Sequence, residues 1–195
     1  MASRKHIDFQ RVLETAIALA DEKGLEALTL ADIAGQLGIR IPSLYNHISG
    51  LPGLRYEMHV WAVRHLVEQT RRAAVGKSGD AAIVSVAQAY RAFALAHPGV
   101  YPLTPRAPTP DQPELVAAAS ELLDIVLAVL EPYSFSDEEK LHAVRALRSV
   151  LHGFVDLEAV GGFGMNLDRD ESFRRLVQLL VDGLRARRDQ LTLNS

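Results

Sequence analysis

Apolar residues recur at intervals of three and four along most of this 195-residue chain. This spacing places them on one face of an α-helix. No segment shows sustained alternation of apolar and polar residues, which would indicate a half-buried strand. Glycines and prolines cut the pattern into separate stretches. The sequence therefore predicts an all-α protein, with helices over 8–23, 30–37, 41–48, 52–74, 81–97, 114–131, 136–160 and 168–190.

Two capping patterns support these boundaries, because Ser136 with Glu139 and Asp168 with Glu171 have the spacing of a helix start. Six prolines between positions 98 and 113 forbid a continuous helix there, so we expect a mobile loop over 104–113. We divide the chain into an N-terminal three-helix domain, residues 1–52, and a C-terminal helical domain, residues 53–195.

Composition narrows the possible partners. The chain has no cysteine and a formal net charge of −3, which argues against binding nucleic acid through bulk charge. Any DNA contact must come from a local surface. The first ten residues lack the apolar run of a signal peptide, and no stretch reaches the roughly 18 apolar residues of a membrane span. We expect a cytoplasmic protein with no membrane partner.

The most informative stretch is Thr29 to Ile48. Two short helices meet at Gly38, and apolar residues on their inner sides can hold the pair at a fixed angle. The outer face of the second helix is then free to enter a major groove, as in a helix-turn-helix. Its polar side chains suit base edges and phosphates. We predict DNA contacts from Thr29, Arg40, Ile41, Pro42, Ser43, Tyr45, Asn46 and His47. The alternative is a helical corner that never meets DNA.

Residues from about Phe9 to Leu54 resemble the DNA-binding domain of the TetR family of bacterial repressors. The matching residues are Ala16, Gly24, Thr29-Leu30, Ile33-Ala34, Leu37-Gly38-Ile39 and Leu44-Tyr45-Asn46-His47-Ile48. The resemblance implies a homodimer that places two reading helices in adjacent major grooves of double-stranded operator DNA. It also implies a C-terminal ligand-binding and dimerisation domain whose last two helices form the dimer interface.

The chain departs from the family pattern at two positions. Ile48 replaces the usual aromatic residue, and Leu51 stands where the family often has a phosphate-binding lysine. Arg55, one turn later, is our candidate for that phosphate contact. Residues 1–50 contain five Lys or Arg and six acids, so we expect modest salt dependence of DNA binding. The Arg4-Lys5 pair is either a groove-binding arm or a solvated terminus.

A second resemblance lies in the C-terminal half. His97-Pro98-Gly99-Val100-Tyr101 and Leu151-His152-Gly153-Phe154 are similar to a TetR branch named for a Trp-His-Gly motif, with Leu151 replacing the tryptophan. That region also contains side chains suited to an apolar pocket with a few polar groups. We predict ligand contacts from Trp61, His65, Tyr90, Phe93, Tyr101, Leu123, His152 and Phe163, although core packing is the alternative for each.

We expect the ligand to be uncharged or weakly polar. No arginine or lysine lies between Arg106 and Lys140, and a buried charge without a partner is costly. Arg64 and Arg91, on other helices, are the alternative source of a basic group. The loop over 104–113 is placed to gate the pocket.

We predict no catalytic residue, metal site or cofactor. The seven histidines show no His-Glu-x-x-His spacing, and His59 and His65 fall on roughly opposite faces of a helix. No serine lies in a nucleophile elbow. The glycines at 161, 162 and 164 follow a helix rather than a strand, so they indicate a helix end and not a phosphate loop.

These patterns predict a ligand-responsive repressor that is not an enzyme. An activator or constitutive regulator of the same fold would show the same sequence features. A helical small-molecule-sequestering or scaffold protein with a vestigial DNA-reading domain is the alternative from another class, and the near-neutral N-terminal domain favours it. An all-helical enzyme is the third.

Overall fold

The computed structural model describes residues 7–193 and contains no strand within them. The predicted fold class is confirmed: three N-terminal helices form a helix-turn-helix domain, and the remaining five form a helical C-terminal domain. The helices are α1 (Phe9–Lys23), α2 (Leu30–Leu37), α3 (Ile41–Leu44), α4 (Gly50–Ala74), α5 (Gly79–Ala96), α6 (Pro113–Leu130), α7 (Asp137–Ala159) and α8 (Arg169–Leu193).

The main difference from the predicted boundaries is at α3, which ends at Leu44 rather than at Ile48. The chain continues as a turn in which the His47 and Ile48 amides both donate to the Leu44 carbonyl, at 2.8 and 3.0 Å. This turn brings Ile48 into the core, where it is 7% exposed. α4 then begins at Gly50. Pro52 is tolerated in its first turn because a backbone N–H at that position would have no acceptor within the helix.

Side-chain caps explain several helix starts. Asp8 accepts the Arg11 amide at 2.9 Å at the start of α1. Ser136 accepts the Glu139 amide at 3.3 Å at the start of α7. The predicted capping box at Ser136 is only half formed, because the Glu139 carboxylate binds Arg187 of α8 instead.

The buried apolar residues of the described part of the chain form three cores. The first joins α1–α3 to the N-terminal half of α4, and it continues onto Phe93, Val100 and Tyr101. The second joins α5, the end of α6, α7 and α8. The third is smaller and packs α4 against the start of α6 around Val63 and Leu115. The predicted division at residues 52 and 53 falls inside α4, so one continuous helix runs from the first domain into the second. Within residues 7–193, no helix combines the length and apolarity needed to cross a membrane.

Candidate nucleic-acid interface and ligand cavity

The α2–α3 pair is held at a fixed angle by local hydrogen bonds and a buried contact. Thr29 caps α2, accepting the Asp32 amide at 3.2 Å while the Asp32 carboxylate accepts the Thr29 amide at 3.0 Å. Gly38 ends α2 in the left-handed region, at φ 69°. Leu44 of α3 is fully buried against the core of the first domain. The two helices therefore form a rigid corner.

The Asp32 carboxylate also binds Lys23, which lies at the end of α1. The Lys23 ammonium is 2.5 Å from it. Hydrogen bonds from Lys23 and then from Thr29 lower the pKa of Asp32 to about 2. The carboxylate consequently stays charged at neutral pH and keeps α2 docked on α1.

The predicted reading residues lie on the outside of this corner. Tyr45 is 58% exposed, so its hydroxyl is accessible to a DNA phosphate. Arg40 has no ion-pair or hydrogen-bond partner for its guanidinium within residues 7–193. The other members of the set are exposed or half-buried: Ile41, Pro42, Ser43, Asn46 and His47. Their contact with DNA stays a prediction.

Arg55 is directed toward the interior of the domain. Its Nη2 donates to the Leu25 carbonyl at 3.0 Å and lies 3.4 Å from the Glu26 carboxylate. It thereby ties α4 to the short turn after α1. Leu51, at the usual lysine position, is half-buried against the same core. The phosphate contact expected from Arg55 stays a prediction, and the Arg4-Lys5 pair lies outside the described residues.

The two domains join tightly where the segment after α5 meets the end of α1. The Asp21 carboxylate accepts the Gly99 amide at 2.9 Å, and its other oxygen is 2.8 Å from His97 Nδ1. A Cβ atom on Gly99 would lie only 2.0 Å from the Ala20 carbonyl oxygen. The backbone of this segment therefore touches the backbone of α1, which only glycine permits.

Aromatic side chains support this junction from the second domain. Trp61 stacks on His65, with ring centroids 4.7 Å apart, and both rings meet His97 edge-on. Phe93 is fully buried and lies 5.3 Å from the His97 ring. These three predicted ligand residues thus surround the domain junction. Among the described residues, no three His, Asp or Glu side chains form a group suited to a metal ion.

A chain of three polar side chains runs from α5 to α7. Tyr90 and Tyr101 hydroxyls are 3.0 Å apart, and the Tyr101 hydroxyl is 2.7 Å from His152 Nδ1. Burial raises the pKa of Tyr90, so its phenol stays protonated. Phe163 packs on Phe154, with ring centroids 4.8 Å apart.

A cavity of about 270 Å³ lies between α4, α5, α6 and α7, and residues 104–108 form its remaining wall. Most of its lining is aliphatic. The apolar side chains on the wall include Val63, Leu66, Val86, Leu115, Leu122, Leu123, Val126, Val144, Leu147 and Leu151. This lining suits the apolar part of a small ligand.

Of the eight predicted ligand residues, the structure places Tyr90 and Leu123 on the cavity wall. The other six lie elsewhere, at the domain junction, in the hydrogen-bonded chain or against Phe154: Trp61, His65, Phe93, Tyr101, His152 and Phe163. The sequence prediction selected residues by type and could not tell which of them line the cavity, because aromatic residues of one apolar stripe pack in several directions. The loop residues Thr104 to Pro108 do line the cavity, and their mobility stays a prediction.

The basic groups on the cavity wall are ones that sequence reasoning did not select. Arg106 of the loop and Arg148 of α7 line it, together with His59 of α4. Burial, and then the charge of Arg106, lowers the pKa of His59. The only sequence signal for Arg148 is its place beside Leu147, at the edge of the α7 apolar stripe.

The two arginines expected as alternatives are engaged elsewhere. Arg64 lies 3.4 Å from the Glu114 carboxylate at the surface. Arg91 binds Glu158 through two hydrogen bonds of 2.8 and 2.7 Å and also contacts Asp170 at 2.8 Å. These hydrogen bonds raise the pKa of Arg91, first of all through Glu158. Arg91 therefore joins α5, α7 and α8 rather than lining the cavity.

Family models of known proteins match both the part of the chain that contains the α2–α3 corner and the part that forms most of the cavity. Residues 12–49 match the family model described as bacterial regulatory proteins, tetR family. Residues 83–180 match the model described as tetracyclin repressor-like, C-terminal domain. The first match contains the α2–α3 corner, and the second spans most of the cavity wall.

Two curated relatives cover nearly the whole chain. An uncharacterized HTH-type transcriptional regulator of Mycobacterium tuberculosis is 35% identical over 179 residues, covering 91% of this chain and 82% of the relative. A second uncharacterized HTH-type regulator, of Bacillus subtilis, is 32% identical and covers 94% of this chain and 96% of its own.

The fold is also found among solved structures. A TetR variant from Acinetobacter baumannii AYE, crystallised in complex with minocycline, superimposes with a TM-score of 0.70. The match covers 94% of this chain and 99% of the other at 19% sequence identity. At this identity the likeness establishes the shared fold.

Proposed function

Because the chain belongs to the TetR family of transcriptional regulators and carries its helix-turn-helix DNA-binding domain, we propose that it is a homodimeric repressor released from operator DNA by a small molecule. The α2–α3 corner would bind the major groove of double-stranded DNA. The cavity between α4 and α7 would hold the small molecule.

The observation that carries this proposal is the course of α4. Leu54 and Met58, near its start, are fully buried in the core that holds α2 and α3. Leu66 and Thr70, three turns further on, line the cavity. A ligand that shifts the second half of α4 must therefore act on the packing of the reading domain.

The mechanism is a shift between two populations. DNA favours the state in which the two reading helices of the dimer are spaced for adjacent grooves. A ligand in the cavity favours a state with a different tilt of α4. Such coupling requires that the two ligands prefer different states, and it is reciprocal. The tight contact of Gly99 with α1 is a second contact through which a ligand in the C-terminal domain could affect the DNA-binding domain.

Dimerisation is proposed through α7 and α8. Both helices expose large apolar side chains, since Leu157 is 48% and Leu179 is 70% exposed. Apolar surface of this kind marks protein contacts, and a two-fold arrangement would bury the same face of both copies.

A sequestering or scaffold role is not favoured, because the relatives are named as transcriptional regulators and the reading residues are exposed. The same relatives give no reason to propose a catalytic activity or a cofactor. Since the proposed partner is chromosomal DNA, we place the protein in the cytoplasm. The solved complex with minocycline supports a small-molecule site in this fold.

The proposal is tested by selecting genomic DNA fragments on the purified protein. We expect a recovered sequence with two-fold symmetry, whose half-sites are separated by about one helical turn. Compounds that raise the melting temperature should then release that fragment in an anisotropy assay. Recovery of random fragments only, or release by none of the stabilising compounds, would contradict the proposal.

A further inference from the structure

We propose that the cavity between α4 and α7 binds a small apolar molecule carrying one acidic group, such as a medium-chain or aromatic carboxylate. This inference rests on the proposed function to the extent that it names the ligand class of the same cavity. It differs from the uncharged ligand expected from the sequence. The difference arises from Arg106 and Arg148, which lie far apart in the chain and meet at the cavity wall.

All formal charge on the cavity wall is positive. Arg106 and Arg148 line the cavity, and none of the described lining residues is an aspartate or glutamate. The lowered pKa of His59 keeps its imidazole neutral near neutral pH, so it neither adds to nor cancels that charge. A cation in this cavity would be repelled, whereas an anion would be attracted.

Neither arginine has an acidic partner among residues 7–193. The Arg148 guanidinium donates to the Pro105 carbonyl, which leaves other N–H groups of its planar fork available. By contrast, Arg91, Arg174 and Arg187 each bind a carboxylate through two hydrogen bonds. Because a guanidinium pairs strongly with a carboxylate in this way, each of these two arginines of the cavity wall can donate to an acidic group of a ligand.

The remaining wall is mostly aliphatic and favours an apolar body for the rest of the ligand. Leu66, Val86, Leu115 and Leu147 come from four different helices and enclose the inner part of the cavity. Leu115 is 1% exposed, whereas Arg106 and Arg148 are both exposed residues. The ligand would therefore enter with its apolar body inward and its acidic group at the solvent end.

The size of the cavity limits the ligand. A volume of about 270 Å³ is slightly below the roughly 300–1,000 Å³ of typical small-molecule pockets. A medium-chain or single-ring acid is of suitable size.

The test is isothermal titration calorimetry on the purified full-length protein without DNA. The probes are octanoate, 4-phenylbutyrate, 1-octanol and octylamine. We expect octanoate and 4-phenylbutyrate to bind, 1-octanol to bind at least roughly tenfold more weakly than octanoate, and octylamine more weakly still. A factor of ten is the order expected for one hydrogen bond to a charged group.

Variants show whether the two arginines cause the preference. Arg106→Gln and Arg148→Gln should each weaken octanoate about tenfold and leave 1-octanol unchanged, and the double variant should no longer prefer octanoate to 1-octanol. Arg169→Gln is the matched control, because Arg169 is exposed, lacks an acidic partner and lies outside the cavity wall. It should bind octanoate like the unmodified protein.

Three results would overturn the inference: no binding of either carboxylate, equal binding of 1-octanol and octanoate, or an unchanged preference in the double variant. Release of operator DNA is measured separately. If octanoate binds through the arginines but leaves the DNA complex intact, the ligand class stands and the proposed effector role fails.

Discussion

Gly99 shows how one residue determines the contact between the two domains. Its amide donates to Asp21, and its α-carbon faces the last turn of α1 at a distance that admits no side chain. The obstacle there is the backbone of Ala20, which cannot rotate away as a side chain could. Gly35, exposed in α2, has open space around the same position and is a natural comparison.

Gly99→Ala should destabilise the protein by about 1–3 kcal/mol, the range for overpacking a filled site. Gly35→Ala should instead stabilise it by roughly 0.5–1 kcal/mol, since alanine loses less backbone entropy in a helix. Urea unfolding followed by circular dichroism measures both. Equal stability of the Gly99→Ala protein and the unmodified protein would contradict the close approach of the two domains.

Among the exposed residues of α3 and the turn after it, we expect Asn46 to contact bases and Tyr45 to contact a phosphate. Asn46→Ala should change which operator is preferred, by roughly 1–3 kcal/mol per lost base contact. Tyr45→Phe should weaken binding to all sequences about equally, because it removes a phosphate contact. Anisotropy titrations against a panel of single-base operator variants measure this. An equal loss of affinity for all operator variants in the Asn46→Ala protein would contradict a base contact from Asn46.

At the scale of elements, the proline-rich segment is a wall of the cavity. Its residues 104–108 line the cavity, and Arg148 of α7 binds the Pro105 carbonyl. Thr109 and Gln112 then close a turn, with the Gln112 amide donating to the Thr109 carbonyl at 2.9 Å. The segment is thus folded against α7, although its prolines exclude a helix.

Removing residues 109–111 should change the rate of ligand association more than DNA affinity, because the segment covers the cavity and is remote in the chain from α3. Stopped-flow binding of octanoate and anisotropy with operator DNA provide the two measurements. Removal of residues 164–166, in the exposed segment between α7 and α8, is the control and should leave the association rate unchanged. A loss of DNA affinity without a change in ligand kinetics would argue against a gate.

At the scale of the whole molecule, the exposed apolar residues of α7 and α8 are the surface on which the proposed dimer rests. Leu179 is 70% exposed in the middle of α8. Val75, 72% exposed just after α4, has a similar exposure outside these helices. Introducing an aspartate at each of these two positions therefore distinguishes the loss of a specific interface from a general effect of added surface charge.

Light scattering of the unmodified protein should give about twice the 21.4 kDa of one chain. Leu179→Asp should shift the mass toward the monomer and weaken operator binding, because each half-site would then be bound independently. Val75→Asp should remain a dimer. A monomeric mass for the unmodified protein at micromolar concentration would contradict dimerisation.

What the sequence determined by itself are the features encoded by neighbouring residues. The spacing of apolar positions established the all-α class, and Thr29, Gly38 and Leu44 established the helix-turn-helix, because caps, left-handed glycines and short apolar stripes act within one or two turns. The end of α3 was the exception among these. The position at which α3 ends depends on the burial of Ile48 in the core, and the helix propensity of the local sequence does not predict that burial.

Only the tertiary structure decided which residues share the cavity. Arg148 and Pro105 are 43 positions apart and are joined by a hydrogen bond. Arg91, which the sequence suggested as a basic group for the ligand, instead binds Glu158 at a separation of 67. Arg148 and Arg91 both lie beside the apolar stripe of a helix, so their local patterns are alike. Which of them meets a carboxylate and which faces the cavity depends on how α5 and α7 rotate as they pack, and helix packing is set by contacts between residues distant in the chain.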